Sequence, residues 1–138
     1  MSRVGYVKLH RKIIHNKIFK SSSIFHIWLT LLMKAAHSSN SWRYKGREYS
    51  VKPGELFTSQ YSLSNFTSLS RSKIYRALKK FESEQMIITN ITPYGTHIQI
   101  LNWREYQVEN TKRAENNIKA SYIKNDIYKP LKKLKKYI

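Results

Sequence analysis

Ser72, Arg76 and Lys79 stand four and three residues apart, with Arg71, Lys73 and Lys80 around them. At about 100° per residue the first three share one side of a helix with Ser83, and the other cations flank it. No acid occurs between Glu55 and Glu82. Side chains of these types recognise anions and hydrogen-bonding edges: Arg forks onto phosphate or guanine, Lys acts as a point charge, and a Ser hydroxyl donates or accepts. Lys73 takes the third helical position, where a capping box would carry Glu or Gln. A cation there opposes the helix dipole, a cost that a phosphate held at that end would offset. A solvated basic face would use the same residue types, so the surrounding elements decide between the two.

Other chemistries lack their residues. The histidines stand at 10, 15, 26, 37 and 97, with no pair at the i, i+4 spacing of a helical metal clamp. There is no cysteine, and the acids number only eight. Neither a His-Glu-x-x-His nor a Gly-x-Ser-x-Gly segment occurs, and there is no Gly-rich phosphate loop. The expectation is a protein without metal or cofactor and not an enzyme. The lack of cysteine fits a cytoplasmic protein. No apolar run reaches the roughly 18 residues a membrane span needs, so no membrane partner is expected.

The elements that must position the basic face follow from periodicity. Ser70 is an N-cap for a helix over residues 71–82, whose Ile74, Ala77, Leu78 and Phe81 form the inward stripe. A shorter helix over 62–66 precedes it, with Ser62 as cap and Leu63 and Phe66 inward. Residues 67–69 are the turn, and Leu69 points to the core. Two helices joined by so short a turn, the second one basic, make a helix-turn-helix. Residues 86–92 and 96–101 read as a hairpin with its tip at 93–95, which is a wing following the recognition helix. That tip has no Lys or Arg, leaving Tyr94, His97 or backbone amides as its contacts.

Upstream, residues 24–36 are apolar on most of the circumference and read as the central buried helix, with His26, Thr30, Lys34 and His37 as its one polar line. Residues 5–9 read as extended. A short helix over 10–16 turns Ile13 and Ile14 inward. Residues 42–50 read as a small aromatic hairpin turning at Lys45-Gly46. Residues 51–58 hold a Pro-Gly turn and a short apolar run, and Trp103 packs on the core. The expected fold class is therefore α+β: a winged helix-turn-helix, mostly helical, with a β-hairpin wing, a second small hairpin and a basic C-terminal tail.

The chain has 138 residues, 41% of them hydrophobic, and a formal net charge of +18. A polyanion partner fits that charge. Residues 1–107 carry +12 and are expected to be the DNA-binding domain; 108–138 carry +6, from nine Lys or Arg against three acids. Lys132, Lys133, Lys135 and Lys136 cluster in that tail, which reads as a helical or disordered arm on phosphates or as a dock for a replication protein or second protomer.

The string Gly5-Tyr6-Val7-Lys8-Leu9-His10-Arg11-Lys12-Ile13 resembles the start of phage replication-initiator and replisome-organiser N-terminal domains, including DnaD-like ones. Leu32-Met33-Lys34-Ala35-Ala36-His37 is similar to the end of their next helix. Lys52-Pro53-Gly54-Glu55-Leu56-Phe57-Thr58-Ser59 matches their Gly-x-Leu-x-Thr-Ser segment. Residues 70–82 resemble their recognition helix, and Asn102-Trp103-Arg104-Glu105-Tyr106 their closing strand. The resemblance covers residues 5–107 and implies a winged helix that binds duplex DNA in a phage or mobile element, for replication initiation or transcription regulation. Such organisers usually carry a second domain for helicase or loader contacts, where a basic stretch stands here; a small regulator, an accessory initiator or an inhibitor also fits.

On this reading Ser72, Arg76 and Lys79 face base edges, while Arg71, Lys73, Lys80 and Tyr75 contact phosphates. Two alternatives stay open. Trp42, Tyr44 and Tyr49 could form a stacking surface for RNA or single strands. A protein-interaction module could use the positive surface to block a host nucleic-acid machine.

Overall fold

A computed structural model describes residues 5–108. Short 3-10 helices at Arg11–His15 and Lys17–Lys20 lead into α1 (Ser22–Lys34). There follow β1 (Asn40–Tyr44), β2 (Arg47–Val51), β3 (Glu55–Thr58), α2 (Gln60–Thr67), α3 (Arg71–Ser83), β4 (Ile87–Thr92) and β5 (Gly95–Ile100). The class is α+β, with two antiparallel sheets ordered β1-β2 and β3-β5-β4. Helical turns take 47% of the described residues and strands 25%, so strand weighs more than a mostly helical chain implies. The difference includes β3, whose four residues are too few to show alternation and which pairs with β5, Glu55 opposite Gln99 and Thr58 opposite Thr96.

α1 is the centre of the core. Ser21 caps it, its hydroxyl accepting from the Ile24 amide, and Ile27, Trp28, Leu31 and Leu32 are buried. Two details differ from expectation. Thr30 on the polar line is fully buried, satisfied by donating its hydroxyl to the His26 carbonyl at 2.8 Å; Met33 instead is exposed. The helix also stops at Lys34 rather than 36, because residues 35–36 are drawn out to pair. The Ala36 amide donates to the Glu55 carbonyl at 2.9 Å, and Gly54 donates to Ala36 at 2.8 Å.

Gly54 ties three segments together. It takes φ +85° behind Pro53, in a turn closed by the Glu55 amide on the Lys52 carbonyl, and its own carbonyl accepts from Ile100. A Cβ here would lie 2.7 Å from that of Trp103. Gly54→Ala should therefore combine left-handed strain with overpacking, a loss of about 2–4 kcal/mol, read as a fall in urea midpoint at unchanged slope.

The small helices depart most from the sequence reading. Ile14 was expected inward and is 51% exposed. The short helix expected over 10–16 is a 3-10 helix at Arg11–His15, and a second one, not expected, follows at Lys17–Lys20; each buries a single side chain, Ile13 and Ile18. α2 begins at Gln60 with Ser59, not Ser62, as cap: the Ser59 hydroxyl accepts from the Ser62 amide. Its inward pair is Leu63 and Thr67, spaced by four, which leaves Phe66 56% exposed beneath the Lys34 ammonium, 4.1 Å from the ring centroid. In the α2–α3 turn Ser68 takes the left-handed conformation that glycine would otherwise supply. Thr67 donates to the Leu63 carbonyl and accepts from the Leu69 amide, and Leu69 packs against the core as expected.

The end of the domain is not a strand. Residues Arg104–Val108 form one wide helical turn, and the Gln107 amide clamps residue 8 from both sides. Lys8 N–H donates to its Oε1 at 2.7 Å and its Nε2 donates to the Lys8 carbonyl at 2.6 Å. One side chain thus does the work of a strand pair. Trp103 is buried, as expected. Apart from Val108, residues 108–138 lie outside the described residues, and with them Lys132, Lys133, Lys135 and Lys136.

Candidate functional site

α3 presents the basic face because its other side is pinned. Ser70 caps it by accepting from the Lys73 amide at 3.3 Å, and Ile74, Ala77, Leu78 and Phe81 are buried. Arg71, Ser72, Lys73, Tyr75, Arg76 and Lys79 are consequently exposed, and Lys80 is half-buried on the flank. Neighbours one turn away order two of the cations. Arg76 Nε donates to the Ser72 carbonyl at 3.4 Å, and the Lys79 ammonium stands 5.6 Å from the Tyr75 ring centroid. At the far end Glu82 accepts from the Thr89 hydroxyl at 2.7 Å, so that carboxylate is engaged with β4 rather than with the cations. A convex helix with ordered guanidinium and ammonium groups can enter a groove and hydrogen-bond what lines it.

The hairpin tip is a two-residue turn, Pro93-Tyr94, between Thr92 and Gly95. Tyr94 is exposed. Above it lies Arg47, from the start of β2, with its guanidinium 3.7 Å from the ring centroid and Nη2 donating to the Tyr94 hydroxyl. Sequence reasoning missed Arg47 because it is 47 residues from its partner. The available signal was the turn: Lys45 and Gly46 both take positive φ, the two-residue geometry that keeps a hairpin compact. His97 is set back from the tip on the sheet, opposite Phe57 and Asn90. Its Nε2 lies 3.0 Å from Glu55 Oε1, a contact that already engages the ring.

Trp42 and Tyr49 stack on each other at 5.7 Å between centroids, and both meet Phe57 of β3, at 6.5 and 5.0 Å. These half-buried rings fasten the β1–β2 hairpin to the larger sheet, and of the three aromatics considered for base stacking only Tyr44 is openly exposed.

Elsewhere, His10 lies edge-on to Tyr106 at 4.3 Å. Burial holds its pKa below the ordinary histidine value, opposed by a hydrogen bond with the Tyr106 backbone and assisted by Lys8. Among the described residues its Nε2 and the Trp103 indole N–H are buried without a partner, beside a cavity of about 40 Å³. That space suits a water or two rather than an organic substrate. Among the described residues no group of three or more His, Asp or Glu could hold a metal, and no helix is long and apolar enough to cross a membrane.

The chain matches no protein-family model, no curated protein and no solved structure.

Proposed function

We propose that residues 1–107 are a winged-helix domain that binds duplex DNA. In this reading α2 and α3 are the helix-turn-helix, β4–β5 is the wing, and the protein serves replication initiation or transcription regulation in a phage or mobile element. The observation that carries it is the face of α3: Ser72, Arg76 and Lys79 outward on a helix fixed by four buried side chains, with Arg71 and Lys73 beside the capped N-terminus. Sheet order supports the same reading, since β3 joins the hairpin through β5 and stiffens it behind α3. Ser72, Arg76 and Lys79 read base edges. Arg71, Lys73, Lys80 and Tyr75 contact phosphates, which sets register without selecting sequence.

Selection of bound duplexes from a random library, followed by titration of the preferred site against scrambled duplex, tests this. Arg76→Ala should relax the preference by about 1–3 kcal/mol, the discrimination a bidentate Arg supplies. Lys73→Ala should weaken all duplexes alike and reduce the salt slope by about 1. The opposite pattern would mean that α3 lies in the groove with another face. No duplex binding at moderate salt, with a protein recovered by pull-down, would favour the inhibitor reading instead.

A further inference from the structure

The β4–β5 hairpin is short of charge: no Lys or Arg occurs between Lys80 and Arg104. The β1–β2 hairpin makes up the deficit. It is fastened to the sheet by Trp42 and Tyr49 on Phe57, and its turn brings Arg47 over Tyr94. Of its cations, Arg43 stands opposite Glu48 in register, so an acid already neighbours that charge. Arg47 is held by a neutral phenol, which fixes the guanidinium plane without cancelling its charge. An arginine has five N–H donors, and one bond to the Tyr94 hydroxyl leaves others for an incoming oxyanion. Lys45 at the turn, its ammonium 5.4 Å from the Tyr44 ring centroid, adds a second cation to the same hairpin.

We infer that the β1–β2 hairpin is a second DNA-contacting arm, in which Arg47, clamped on Tyr94, engages a backbone phosphate of the duplex bound by α3. This rests on the duplex-DNA reading above. The inward packing of Trp42 and Tyr49 argues against the same arm being a base-stacking platform for single strands. Prior ordering of the guanidinium removes part of the entropy cost that a free surface arginine meets on binding.

The experiment uses the full chain and a short duplex of the selected site, with anisotropy titrations between about 50 and 200 mM salt. Arg47→Ala should flatten the plot of log affinity against log salt by about 0.9 and raise Kd about fivefold near 0.15 M salt, equally for preferred and scrambled duplex. Arg47→Gln, which keeps most of the side-chain bulk, should do the same. Tyr94→Leu should weaken binding too, and the Arg47→Ala/Tyr94→Leu pair should lose no more than Arg47→Ala alone, as a coupled pair must. If the Arg47 variants keep the wild-type slope while Lys73→Ala flattens it, the arm is not on the DNA, although α3 is. Fully additive losses would overturn the clamp, and a loss confined to single-stranded probes would overturn the duplex assignment. Failure of the wild-type chain to bind any duplex would remove the underlying reading along with this one.

Discussion

Phe81→Ala should destabilise the domain by about 3–5 kcal/mol, the range for emptying an aromatic site in a core. Phe81 is fully buried, and its ring meets Trp28 of α1 at 5.2 Å and 62°, an edge-to-face pair. The loss therefore includes transfer, cavity and an aromatic contact that alanine cannot replace. For about 100 residues each kcal/mol shifts Tm by roughly 4–8 °C, so a fall of more than about 12 °C is expected by calorimetry. Leu32→Ala, on the α1 side of the same core, should cost about 2–5 kcal/mol. Tyr75→Ala is the control: half exposed on the same helix, it should shift stability by no more than about 0.5 kcal/mol. If Phe81→Ala melted like wild type, or Tyr75→Ala melted early, α3 would be rotated and its basic face would not be the one described. The stability result thus bears on function, because the stripe that buries Phe81 is what turns Arg76 outward.

What could be read in advance was local. The inward stripe of α3 declares itself through Ile74, Ala77, Leu78 and Phe81, and α1 through a run too apolar to face water; Lys45-Gly46 marks a hairpin on turn chemistry alone. Legibility ended where an outcome depended on distant residues. β3 is a strand because β5 accepts it 40 residues later, and Ala35 leaves α1 because Ala36 is wanted by Glu55 and Gly54. Phe66 could not be placed from its own helix, since both Phe66 at i+3 and Thr67 at i+4 lie near the side of Leu63, and packing of α2 on α3 and α1 decides that Thr67 is the buried one. The candidate site divides the same way. The face of α3 follows from one periodic stretch, whereas Arg47 reaches Tyr94 only once Trp42, Tyr49 and Phe57 have docked one hairpin on the other. His97 shows the converse: its sequence position suggests a tip contact, yet Glu55, brought alongside by β3, already engages the ring.

Deleting residues 129–138 should produce the largest change in binding and almost none in stability. That segment holds Lys129 and the cluster Lys132, Lys133, Lys135 and Lys136. Each cation that neutralises a phosphate of duplex DNA contributes about −0.9 to the salt slope, so if the four clustered lysines engage, their removal should flatten it by roughly 3–4 units. Near 0.15 M salt that is about a thousandfold in affinity, or about 4 kcal/mol, spread evenly over preferred and scrambled duplexes because lysine on phosphate carries no sequence information. Stability should be retained because residues 5–107 close on themselves. Gln107 grips the backbone of Lys8 through both its amide atoms, Trp103 is buried against Gly54, and the core cluster runs from Ile13 to Trp103. Should the tail dock a second protomer or a replication protein instead, truncation would leave the salt slope alone and change the mass seen by light scattering, or abolish a pull-down. A truncated chain that no longer melts cooperatively would defeat both versions, since it would make the tail part of the core that Gln107 and Lys8 close.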